Sequence, residues 1–341
     1  MSDDIRPLPT PALYGGDACG LICGWLFLPG QPPRALDDVA SAQPHLGPGG
    51  PGFVWLHFNL SHAGALPWLQ QHAQLNDDFY EALDQGSRST RIERDGDALL
   101  AVINDVTFDF GFEASDLATL WVAVSPRLVV SARRQPLRSV DRLRTEVKRG
   151  TVLPSPVSLL DHLLRDQADE LQRIVRRAAD RVDDIEDALL AGQFRHGAEL
   201  ARLRRVLVRL QRLLAPEPGA LQRLLAHPPN WVSGEDVEQL HGASEEFALV
   251  LRDIAALQDR AKLMQDEAAS HVAEANARSL FTLTMVTVLA LPINLMAGLF
   301  GMNVGGIPLS GHAAGFWIML GLIGALTALI GWLAVRRLHR D

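Results

Sequence analysis

Apolar positions are spread unevenly along the 341 residues. Up to about residue 155, short β-branched or aromatic runs alternate with Gly, Pro and Asp. That pattern predicts strands over 21–28, 53–58, 98–108, 117–124 and 127–132. Helices are expected over 63–73 and 76–84, the second opened by Asn76 as N-cap, and Pro/Gly-rich 44–52 reads as a loop. From about 156 the spacing changes to threes and fours. Leu160, Leu164, Leu171, Val175, Ala178, Val182, Ile185 and Leu189 form one helical seam. Another helix is expected over 197–214, ending before Pro216. The last begins near Ser244 and repeats the seam through Phe247, Val250, Ile254, Leu257, Ala261, Met264, Ala268, Val272 and Ala275. Such a seam is either intramolecular core or a coiled-coil-like contact between subunits.

The end of the chain decides the class. No Asp, Glu, Lys or Arg occurs between Arg278 and Arg336. Residues 279–300 and 316–335 are each long enough to cross a hydrocarbon core of ~30 Å at ~1.5 Å per residue. Buried helices of soluble proteins rarely stay uncharged for so long, so two transmembrane helices are expected, joined by the Gly/Pro-rich loop 301–315. With no Pro or Gly from Ser244 to Pro292, the last cytosolic helix should run unbroken into the first span. Arg278 precedes the spans, Arg336, Arg337 and Arg340 follow them, and the loop holds no Lys or Arg. Basic flanks stay cytoplasmic, which puts both termini in the cytoplasm. The plan is thus a cytosolic α/β domain (1–155), a helical stalk (156–278), a first span (279–300), an external loop (301–315), a second span (316–335) and a basic tail (336–341).

Composition narrows the function. Net charge is −8; with the tail at +2 and 279–335 at zero, residues 1–278 carry −10. An acidic body argues against nucleic acid and attracts cations over about a Debye length. Two cysteines exclude a disulfide scaffold, and the acidic start Met1–Asp4 lacks the basic charge of a secretory leader. Neither a G-x-G-x-x-G nor a P-loop is present, and no Ser/His/Asp or Cys/His array supports an enzyme. In the first span, Leu280, Thr284, Thr287, Leu291, Asn294 and Gly298 advance by fours and threes and so share one side of a helix. Polar groups in a membrane either glue helices together or face a watered cavity. Thr284 suits both roles, whereas Asn294, deep in the span, points to the cavity. Leu291 on this stripe is a candidate constriction.

Gly301-Met302-Asn303 closes the first span. Together with Pro292 and Ala297–Phe300 it resembles the first span and Gly-Met-Asn signature of the CorA superfamily of divalent-cation transporters. Val304–Pro308 resembles the zinc-transporting, ZntB-like branch, and Leu309 stands where the magnesium branch usually carries an acid. Trp55-Leu56-His57, Leu120-Trp121-Val122 and Leu128–Ser131 follow that branch in matching order. The resemblance implies a funnel-shaped homopentamer in a bacterial-type inner membrane, with a pore lined by the first span. It also implies a mouth of Gly301, Met302 and Asn303, cargo of Zn2+ or another divalent cation, and no cofactor. Five Asn303 amides with Gly301 carbonyls would bond the hydration shell of an ion without trapping it. The alternatives are a Mg2+/Co2+/Ni2+ channel and, from another class, a two-span sensor or scaffold.

Other candidates are weaker. Cys19 and Cys23 lack zinc-site spacing and read as ordinary thiols; they approach His57 only if their strands pair. His57 and His62 are expected in surface or capping roles. Asp253, Asp259, Asp266, Glu267 and Glu274 read as a solvated face paired with Arg252, Arg260 and Lys262, with regulatory metal between subunits as the rival reading. His271 and His312 are candidates for a proton or metal role.

Overall fold

The computed structural model describes residues 17, 19–47, 49–86, 90–107, 117–193, 196–302 and 313–338. The chain divides into two compact units, Met1–Gln265 and Asp266–Asp341.

The first unit is built on one sheet. Its strands are β1 (Leu21–Phe27), β2 (Arg34–Leu36), β3 (Phe53–Asn59), β4 (Arg91–Asp95), β5 (Ala98–Val106), β6 (Leu117–Val124) and β7 (Leu128–Arg133). Their order is β2-β1-β3-β7-β6-β5-β4; β3 and β7 run parallel, and every other neighbouring pair is antiparallel. Helices cover both faces, so the central strands read as continuous apolar runs and not as an alternation. Phe53, Trp55, Ile103 and Val122 point into one core; Val54, Leu56, Val102 and Trp121 point into the other. Gly52 lets β3 start against β1: its φ is +81°, and a Cβ there would lie 1.9 Å from the Phe27 carbonyl oxygen.

The helices are α1 (Val39–Ala42), α2 (Ala65–His72), α3 (Asp77–Gln85), α4 (Arg138–Lys148), α5 (Pro156–Leu190), α6 (Gly197–Leu214), α7 (Pro216–Ala226), α8 (Gly234–Phe300) and α9 (Gly315–Leu338). α5 starts with Pro156 at its first position and a capping box in which Ser155 and Ser158 exchange bonds. Its expected seam, from Leu160 to Leu189, is buried throughout. On α8 the seam is buried from Phe247 through Ala268, while Val272 and Ala275 are exposed, so its cytosolic stretch is largely intramolecular core.

Several elements differ from expectation. β2 and β4 are polar edge strands, with one buried residue each (Leu36 and Ile92), too few to make an apolar alternation. Pro216 ends α6 but is also the first residue of α7. α8 begins ten residues before Ser244, because Ser233 and Asp236 cap it reciprocally and outweigh Gly242 in its third turn. Asn76 does sit at the N-cap of α3, yet its amide turns away and donates to the Asp95 carbonyl and carboxylate, at 3.0 and 2.7 Å. α1 and α4 were not anticipated, although Val140, Leu143 and Val147 give α4 a buried stripe.

The second unit holds the end of α8, with Pro292 inside it, and α9. Both helices contain windows long and apolar enough to cross a membrane, with mean hydropathy 2.0 and 1.8, and these windows are 0% and 6% buried. A core helix of a soluble protein would be covered. Here large apolar side chains such as Leu283, Val286, Phe316, Trp317 and Trp332 are bare, which suits contact with lipid or further copies.

Candidate functional site

The polar stripe begins at the level where the last charge, Arg278, disappears. Thr284 donates its hydroxyl to the Leu280 carbonyl (2.8 Å) and Thr287 to that of Leu283 (2.9 Å). Each hydroxyl hydrogen is thereby satisfied within the helix, as a low-dielectric medium requires, while the oxygen lone pairs remain available to a neighbour. Asn294 is exposed, and its amide has no hydrogen-bond partner among the described residues. Leu280, Thr284, Thr287, Leu291, Asn294 and Gly298 are all exposed. The half-covered positions of this span are Met285, Leu289, Ala290, Pro292 and Met296. At 100° per residue, the centre of the set Met285, Leu289, Pro292 and Met296 lies about 150° from the polar stripe. On α9 the half-covered Met319, Ile323, Thr327 and Ile330 form a stripe, with half-covered Gly331 to one side of it. Thus the polar stripe is bare, as are apolar positions such as Leu283, Val286, Leu295 and Leu299 on other sides of the helix.

The helix ends where the motif begins. Gly301 donates its N–H to the Ala297 carbonyl (2.9 Å), and exposed Met302 follows. Asn303 and His312 lie outside the described residues. His271 is exposed on α8, with Nδ1 3.9 Å from a Glu274 carboxylate oxygen.

The sheet resolves the remaining candidates. β1 and β3 do pair, with Cys23 opposite His57. His57 is nevertheless fully buried, not at the surface: Nδ1 meets the Ser131 hydroxyl at 2.8 Å, and Nε2 accepts from Arg133 Nε at 3.1 Å. Burial, and then the Arg133 charge, hold its pKa well below the usual imidazole value, so the ring is neutral and both nitrogens are engaged. Burial pushes the Cys23 thiol up to about 11, far from a thiolate. Trp55 also donates to Ser131 (2.8 Å), which explains why the Trp55–His57 strand and the Leu128–Ser131 strand belong together. His62 is at the surface as expected; its Nδ1 accepts from the Gly64 N–H at 3.2 Å but does not cap α2. The acids Asp253, Asp259, Asp266, Glu267 and Glu274 are exposed as expected. Arg260 does not serve them; it reaches across to Asp183 (2.5 Å) and Glu186 on α5.

Two groupings escaped the sequence. In one, Gln167 on α5 donates to the Asn104 carbonyl (2.7 Å) and lies 3.5 Å from the Glu217 carboxyl, while Asp105 accepts from the Ser139 N–H and hydroxyl (3.2 and 2.5 Å). Burial raises Glu217 well above the usual carboxyl range and Asp105 to about 6. The other joins Glu146 to His162 and Asp166. Only the one-turn spacing of His162 and Asp166 hinted at it.

A family model described as CorA-like Mg2+ transporter protein matches residues 50–337. The zinc transport protein ZntB of Yersinia pseudotuberculosis serotype O:1b is 27% identical over 299 residues, 87% of this chain and 89% of its own. The divalent cation transporter CmaX of Pseudomonas aeruginosa is 26% identical over 289 residues, 84% of this chain and 87% of its own. The solved full-length CmaX structure superposes with a TM-score of 0.79 at 26% identity, covering 95% of this chain and 99% of that one. The CorA magnesium transporter of Methanocaldococcus jannaschii shares the fold at a TM-score of 0.73 and 20% identity, over 91% of this chain and 96% of its own.

Proposed function

This chain belongs to the CorA-like Mg2+ transporter family, which makes it a divalent-cation transporter and not an enzyme, and we propose that Zn2+ is its preferred cargo, carried through a pathway lined by the polar stripe of the first span. One observation carries the pathway: Thr284, Thr287 and Asn294, polar residues inside an uncharged span, line up on one bare face, nearly opposite the half-covered Met285, Leu289, Pro292 and Met296. Thr284, Thr287 and Asn294 on a lipid face would be costly. Facing the same residues of other copies around an axis, they offer hydroxyl and amide oxygens to a hydrated ion. A homopentamer in an inner membrane, with both termini cytoplasmic, gives them that axis.

Selectivity follows from the donors. The loop 301–315 has no carboxylate, so an ion at the mouth meets neutral oxygens of Asn303 and Gly301 and the imidazole of His312. Imidazole is a good ligand for zinc and a poor one for magnesium. The ZntB relative supports the same cargo. Neutral donors discriminate little among transition metals, so Co2+ and Ni2+ should also pass. An inside-negative potential favours entry by ~2.3 kcal/mol per charge per 100 mV, twice that for a divalent ion, so import is the downhill direction.

The test is metal flux into proteoliposomes of the purified protein, comparing Zn2+, Mg2+, Co2+ and Ni2+. Zn2+ should enter fastest. Faster Mg2+ entry would transfer the assignment to a magnesium-type channel, and flux of none by an intact oligomer would favour a two-span sensor.

A further inference from the structure

The end of α4 and the first third of α5 bring three donors of different elements together. Glu146 comes from the last turn of α4, and His162 and Asp166 lie one turn apart on α5. His162 Nε2 and a Glu146 carboxylate oxygen are 2.5 Å apart, and one donor atom from each of the three residues lies within 4.8 Å of the others. Glu146 and His162 are about one-third exposed (34% and 32%), whereas Asp166 is only 5% exposed. Asp166 Oδ1 faces Arg142 Nη2 at 3.3 Å. Its Oδ2 is buried and has no hydrogen-bond partner among the described residues. Such an orphaned carboxylate oxygen normally costs free energy and calls for an occupant.

We propose that Glu146, His162 and Asp166 form a binding site for a divalent transition-metal cation, Zn2+ in the first instance, within a single chain. One imidazole nitrogen and two carboxylate oxygens form a mixed set that suits zinc and its neighbours, and the open side leaves the fourth position to water. Magnesium would reject the nitrogen. Two carboxylates balance the charge of a divalent ion. The cation takes the place of the His162–Glu146 hydrogen bond and takes up Asp166 Oδ2. Arg142 stays on Oδ1 and on Asp169 (3.4 Å), where it orients the Asp166 carboxylate as an outer-shell partner. All three ligands sit on helices whose other faces are buried: Val140, Leu143 and Val147 on α4, and Leu159, Leu160, Leu163 and Leu164 on α5. The site is therefore rigid, and its occupant ties α4 to α5. This inference does not depend on which ion is transported.

The experiment uses full-length protein in detergent, stripped with a chelator and titrated with Co2+ and then Zn2+. Wild type should take up one tight equivalent of Co2+ per chain, with d–d absorption of a low-coordinate N/O site, displaced by Zn2+ and unaffected by excess Mg2+. His162→Gln and Asp166→Asn should each weaken Zn2+ binding by more than the ~10–100-fold that loss of an outer-shell partner costs. Glu146→Gln, at a partly exposed position, removes a ligand without touching the core, so its loss of binding cannot be ascribed to misfolding. His227→Gln, at an exposed loop position outside the site, should bind like wild type. Zn2+ should raise the thermal midpoint of wild type and leave that of His162→Gln unchanged. The proposal is overturned if wild type holds no tight equivalent, if Mg2+ competes equally, or if Glu146→Gln and His162→Gln bind as wild type does.

Discussion

At the scale of single residues, the sharpest contrast is between polar groups that are satisfied and those that wait for a partner. Thr284 and Thr287 spend their hydrogens on their own helix, whereas the Asn294 amide is bare. In the proposed pathway Asn303 continues this series, its amide bonding the water of a passing ion. Asn303→Ala should therefore abolish flux while the protein still assembles; transport at the wild-type rate would remove it from the pathway. Glu217 makes the opposite case. It is fully buried and held neutral, with one carboxyl oxygen lacking a hydrogen-bond partner among the described residues. Its folded pKa is raised above the ~4.3 of the unfolded chain. The native state therefore binds more protons, and stability falls as pH rises from about 4 through the folded value. Asp105 adds a similar loss that ends near its folded value of about 6. Glu217→Gln keeps an acceptor for Gln167 and cannot ionise. It should stabilise the protein at pH 8, where an ionised Glu217 would cost most, and by less at pH 5.5. Thermal unfolding at the two pH values checks this, and a gain that is the same at both would rule it out.

At the scale of elements, α8 carries the argument. Leu291 lies on its polar stripe next to Pro292, and in the proposed homopentamer a ring of such leucines would exclude water by dewetting. Leu291→Ser should raise the resting leak of reconstituted protein several-fold; an unchanged leak would move the closure elsewhere along Leu280–Gly298. The course of α8 was legible because its seam and its uncharged segment are long, and long periodic patterns outweigh local noise. So were the five main strands, within about two residues. β2 and β4 were not, since an edge strand of polar residues has no face to announce it. α7 was hidden by Pro216, which signals an end and a beginning equally well. The stripe of the first span could be read from spacing alone. His57 could not, because only pairing with β7 brings Ser131 and Arg133 to its two nitrogens and makes burial tolerable. Glu146 and His162 are sixteen residues apart on different helices, and nothing local links them.

At the scale of the whole molecule, two charge patterns have to cooperate: an acidic body and a span region without any charge. Zn2+ entry should rise with an inside-negative potential, and a proton gradient should add to it only through His271 or His312. Entry measured with and without a pH gradient, then again in the His271→Gln/His312→Gln protein, separates these; a gradient effect that survives the double substitution would exclude the histidine route. A last consequence follows from α8 being a single element. Leu240, Phe247, Ile254 and Met264 complete the core of the first unit, and Ser279 opens the first span fifteen residues after Met264. Ribosomes add ~5–20 residues per second, so about one to three seconds separate the last core residue from the first that belongs in lipid. During synthesis the first unit therefore waits, with its α8 positions unfilled, until the nascent chain is on the point of being handed to the membrane. A cell that slowed translation once Met264 had emerged from the ribosome would give this unit time to close before insertion is complete.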